Sequence, residues 1–84
     1  MRDIDYGILP EHMRDGARHY VENHFEPGGF LQAVFENNLV RAFSLADEIN
    51  EKAMRQWARF LHNEAPRRCW GSREAVQNWL EERE

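Results

Sequence analysis

A chain of 84 residues makes one domain, and at this size only about 60–65% of the unfolded surface is buried on folding, so surface chemistry weighs heavily. Three Trp, five Phe and two Tyr within a 42% hydrophobic composition supply enough burial for a core and exclude a disordered chain. The net charge of −4 argues against broad electrostatic binding to nucleic acid, which needs a basic face to displace counterions.

The single cysteine, Cys69, excludes an intramolecular disulfide and suits a reducing cytoplasm. Met1-Arg2-Asp3-Ile4-Asp5 lacks the basic-then-apolar order of an export signal. No apolar run reaches the roughly 18 residues of a membrane span. The expectation is a cytoplasmic protein without membrane contact.

In chain order, residues 1–9 read as a short arm in which Ile4 and Tyr6 alternate with Asp3 and Asp5, and residues 10–84 read as one helical domain. Pro10 suits the first position of a helix, where its missing N–H has no intrahelical role. Leu9, Met13, Ala17, Tyr20 and Val21 then share one face, and the helix stops near Asn23, ahead of Pro27-Gly28-Gly29. Gly16 inside that helix is either tolerated or marks the close passage of another element.

Phe30, Leu31, Val34 and Phe35 predict a two-turn helix, with Asn37 as its left-handed end and Asn38 as the cap of the next. Leu39, Val40, Ala42 and Phe43 predict another short helix. Ser44 followed by Asp47 resembles a capping box and places a restart there, the competing reading being one helix from Leu39 to Glu64. Asp47 to Asn63 carries the strongest pattern, with Ile49, Ala53, Trp57, Phe60 and Leu61 on one stripe and Glu51, Lys52, Arg55 and Arg59 away from it. Pro66 ends it, and Ser72 caps a last helix that buries Val76, Trp79 and Leu80. The fold expected is all-α, a compact single-domain bundle of about five short helices.

The histidines, His12, His19, His24 and His62, have no metal-site spacing, so neither a metal nor a cofactor is expected. Cys69 reads as a buried loop residue, with thiol chemistry, promoted by Arg67 and Arg68, as the only enzymatic alternative. Gly28-Gly29-Phe30 opens a helix with free N–H groups, as phosphate-binding loops do, but lacks their Lys-Ser/Thr signature. Two helices after Asn37 could form a helix-turn-helix, yet neither is basic enough to read DNA.

Arg67, Arg68, Trp70 and Arg73 join positive charge to an aromatic in one loop, a combination enriched at protein interfaces. They are the partner-binding residues this sequence nominates, weighed against an inward-packed Trp70 with solvated arginines. The acidic end, Glu81-Glu82-Arg83-Glu84, could pair with Arg67 and Arg68 of another chain, which leaves a homo-oligomer open.

Pro10-Glu11-His12-Met13-Arg14-Asp15-Gly16, Gly28-Gly29-Phe30-Leu31-Gln32-Ala33-Val34, Phe60-Leu61-His62-Asn63-Glu64-Ala65-Pro66 and Cys69-Trp70-Gly71-Ser72 together resemble small uncharacterised helical proteins encoded by phages and prophages. That resemblance implies an accessory protein acting stoichiometrically on a bacterial host enzyme or defence complex. The expected function is therefore non-catalytic binding and blocking of a bacterial protein. The alternatives are sequestration of a phosphate-bearing nucleotide at Gly28, Gly29 and Phe30, and a nucleic-acid-associated module.

Overall fold

The structure, a computed structural model, describes residues 4–82. Within them six α-helices follow in order: α1 (Arg14–Asn23), α2 (Gly29–Phe35), α3 (Leu39–Leu45), α4 (Glu48–Lys52), α5 (Met54–Asn63) and α6 (Arg73–Glu81). Short 3₁₀ turns lie at Tyr6–Ile8, Glu11–Met13 and Arg67–Cys69, and no strand occurs among the described residues, as expected of an all-α chain.

Local chemistry sets the breaks between helices. Asn37 adopts a left-handed φ of 63°, and the Asn38 side chain accepts from the Arg41 N–H to start α3. Ser72 Oγ accepts from the Ala75 N–H at 3.0 Å and starts α6. His24 ends α1 with a φ of 60°, a conformation costly for a side chain with Cβ. Its ring packs at a tilt with its centre 4.2 Å from that of Trp79, while Nδ1–H donates to the Trp79 carbonyl at 2.7 Å.

Two boundaries differ from the sequence reading. The restart after α3 falls at Asp47, whose carboxylate accepts from the Asn50 N–H at 2.7 Å, while Ser44 Oγ donates back to the Arg41 carbonyl inside α3. Helix Asp47–Asn63 is also broken: Ala53 (φ −99°, ψ 12°) separates α4 from α5. That break rotates α4 out of phase with α5, so Ile49 leaves the stripe and is exposed, and Asn50 takes the inward position. The indole N–H of Trp57 donates to Asn50 Oδ1 at 3.2 Å, which satisfies the one buried polar side chain among the described residues.

The core gathers Tyr20, Phe35, Trp57, Phe60, Cys69 and Val76 from five different elements. Tyr20 supplies its centre: its ring lies 4.4 Å from Phe35, its hydroxyl donates to the Cys69 carbonyl at 2.7 Å, and its own carbonyl accepts from Trp79 Nε1 at 2.9 Å. The segment read as an arm belongs to this core from Ile4 onward, because Tyr6 and Leu9 are buried and Tyr6 packs 5.6 Å from Phe60. Residues 1–3 of that arm lie outside the described residues. Pro10 precedes a 3₁₀ turn instead of opening α1 itself. A Cβ on Gly16 would meet Leu31 Cδ1 at 3.1 Å, so this glycine leaves room for the Leu31 side chain of α2 against α1.

Candidate functional site

Within α3 the one fully buried side chain is the small Ala42. Ala42 is buried and Ala46 just beyond α3 packs against the core, while Leu39, Val40 and Phe43 are 63%, 80% and 42% exposed. Two turns of helix cannot bury apolar residues on every side, because successive positions are 100° apart and only one side meets the core. A small residue inward with large ones outward lets α2 and α3 approach closely while leaving branched and aromatic surface in water.

Beside this ridge lies an apolar groove of about 260 Å³ between α2, α3 and α5, lined among others by Ala33, Leu39, Phe43, Met54, Ala58 and Leu61. Leu39 and Phe43 thus belong to the groove wall and to the exposed ridge together. Arg55 and the amides Asn37 and Asn38 are the polar groups bordering it. Leu45 and Ile49 are exposed as well. Large apolar side chains exposed together, unlike those scattered singly, mark contact sites.

Arg41 sits two positions from both Leu39 and Phe43 and so projects from the other flank of α3. There it lines a polar cavity of about 360 Å³ with Gln32, Glu36, Asn38 and Arg73. Glu36 in that cavity accepts from Gln32 Nε2 at 2.9 Å. Asn38 borders both cavities, joining them at the start of α3. Among the described residues, Arg41, Arg55 and Arg73 enter no ion pair, whereas Arg18 pairs with Asp15, Lys52 with Glu48 and Arg68 with Glu82.

The four loop residues nominated by sequence fall into three settings. Arg67 lies over the Trp70 ring, 5.8 Å from its centre, and Trp70 is half-buried against the core. Arg68 reaches the Glu82 carboxylate on the same chain, the intramolecular counterpart of the inter-chain pairing foreseen for the acidic end. Arg83 and Glu84 lie outside the described residues. Arg73 alone of the four opens onto the α3 cavity. At the second nominated site, Gly28 and Gly29 are exposed, but Phe30 is buried with its ring edge on Trp57, 5.5 Å away.

Cys69 is fully buried, and removal from water pushes its thiol up to about 12, away from the thiolate that nucleophilic chemistry requires. The histidines are spent separately: His12 Nε2 lies 2.9 Å from the Asp47 carboxylate, His19 stacks on Phe25, His24 caps α1, and His62 stands exposed on α5. The Asn50 N–H and then His12 hold the Asp47 carboxyl below its usual range. No helix among the described residues is long and apolar enough to cross a membrane.

The sequence predicts the short helix of Leu39, Val40, Ala42 and Phe43 but not which of its residues face outward. The available signal was their spread around the helix: with Leu45 they leave Ala42 as the one inward position. Comparisons with protein-family models, curated proteins and solved structures find no match to this chain.

Proposed function

We propose that this chain is a non-catalytic protein-binding domain whose contact surface is centred on α3, and that it acts stoichiometrically by covering a surface on its partner. The observation that carries this reading is the exposure of Leu39, Val40 and Phe43 on one short helix, with Leu39 and Phe43 also forming a wall of an apolar groove. Leaving three large apolar side chains in water gains nothing for a monomer, whereas burying each on a partner stabilises a complex by roughly 1–2 kcal/mol. The resemblance to phage proteins is what favours a bacterial host protein or defence complex in the cytoplasm as that partner.

The test compares capture from bacterial lysate by the native chain and by a Leu39→Ser, Val40→Ser, Phe43→Ser variant whose fold is checked by circular dichroism. A partner retained by the native chain and lost by the variant supports the reading. Equal retention by both refutes it.

A further inference from the structure

Resting on that reading of α3, we infer that the partner presents an acidic amphipathic helix, one with an apolar stripe bordered by Asp or Glu. The groove dictates the stripe: it is lined by Ala33, Ala58 and Leu61 together with Leu39 and Phe43 of the ridge, an apolar surface that suits the apolar face of a second helix. The charges dictate the border. The chain as a whole carries −4, yet the cations flanking this face are Arg55 on the groove side and Arg41 with Arg73 on the other.

These three guanidinium groups have no ion-pair partner among the described residues, so a docking carboxylate does not have to displace one. The one carboxylate in the polar cavity, Glu36, is held by Gln32 and leaves two arginines to one acid there. Two arginines lining one cavity suit carboxylates, which guanidinium groups bind in paired geometry. A second copy of this chain is a poorer occupant. A two-fold contact would set the same arginine-bordered face against itself, and like charges across an interface oppose association.

The test uses three synthetic helical peptides of about 15 residues, long enough to hold helix, with one shared leucine stripe flanked by Glu, Gln or Lys. Affinity is read by fluorescence anisotropy and location by amide shifts in a two-dimensional NMR spectrum of the full chain. The expected result is that the Glu-flanked peptide shifts the Leu39 to Phe43 amides and binds about tenfold or more tightly than the Lys-flanked one, an advantage that shrinks in high salt. Changing Arg41→Ser together with Arg73→Ser removes most of that advantage and leaves the weaker binding driven by the stripe.

Equal affinity for the Glu and Lys peptides overturns the acidic partner while leaving the apolar face intact. Binding of the Glu peptide away from α3, or by none of the peptides, overturns it too, and the lysate comparison then judges the face separately. Micromolar self-association abolished by Val40→Asp overturns it in favour of a second copy.

Discussion

Replacing Val40 by Asp tests the exposure on which the α3 surface depends. Full burial of a valine is worth roughly 1.5–3 kcal/mol, and a side chain left 80% in water keeps about a fifth of that, so truncating its packing costs about 0.3–0.6 kcal/mol. The position lies in the first turn of α3, two residues after the Asn38 cap, where a carboxylate meets the positive end of the helix dipole and recovers about 0.3–1 kcal/mol. The two effects nearly cancel. Urea denaturation followed by circular dichroism should give a midpoint within about 0.5 kcal/mol of the native chain at unchanged slope. The neighbouring change Ala42→Asp, at a buried position, drives a charge into the α2–α3 contact and should leave the chain largely unfolded. Phe35→Ala in the core supplies a scale, with an expected loss of about 3–5 kcal/mol. A loss above about 2 kcal/mol for Val40→Asp would show that α3 packs its outer face within the monomer, and the proposed surface would fall with it.

Other outcomes follow from single contacts. Asn50→Ala strands the buried indole N–H of Trp57 and should cost about 1–3 kcal/mol in urea melts, a penalty that an exposed asparagine such as Asn78 would not show. Gly71→Ala forces a Cβ onto a φ of 124° in the residue whose N–H donates to the Phe35 carbonyl, and the melting temperature should fall by the equivalent of about 1–3 kcal/mol. Arg68→Ala removes a largely exposed ion pair and should change stability by about 0–1 kcal/mol, less in high salt. Burial raises the Cys69 thiol from an ordinary 9.0 to about 12, and burial likewise raises the Tyr6 and Tyr20 hydroxyls. The unfolded chain therefore gives up these protons first: the stabilisation is complete below pH 9 and is lost as the pH climbs from there towards 12. Alkaline unfolding that begins near pH 9, with iodoacetamide labelling of Cys69 only as unfolding proceeds, is the expected result; rapid labelling of the native chain at pH 8 contradicts the burial.

What sequence could show was whatever a few neighbouring residues decide. Asn37 and Asn38 ended one helix and began the next because a left-handed residue and a side-chain cap are local devices, and Ser72 opened α6 for the same reason. The burial of Val76 and Trp79, and of Cys69 in its loop, also followed from short-range pattern. What failed was any inference needing the relative rotation of two helices. Ile49 belonged to the Trp57 stripe only if Asp47 to Asn63 were continuous; the turn at Ala53 is a compromise that sends Asn50 inward to meet an indole N–H, and no spacing rule contains that bond.

The same limit explains the α3 surface. An apolar residue at helical spacing predicts a face, but whether the face meets the core or the solvent depends on how many elements surround it. Here α2 and α5 flank α3 on one side, where Ala42 meets the core, and nothing among the described residues covers Leu39, Val40 and Phe43 on the other. Arg73 entered the sequence reading through its neighbours Arg67, Arg68 and Trp70. It reaches the candidate surface because α6 returns beside α2, placing it in one cavity with Arg41, which lies 32 positions earlier in the chain. Tertiary folding thus splits the linear arginine cluster, tying Arg68 to Glu82 and Arg67 to Trp70, and assembles a different cationic border from α3, α5 and α6. A border drawn from three helices can be disturbed one helix at a time. If α3 supplies the apolar contact and the arginines only the charge preference, Arg55→Ser should weaken acidic peptides and spare neutral ones, while Val40→Ser should weaken both alike.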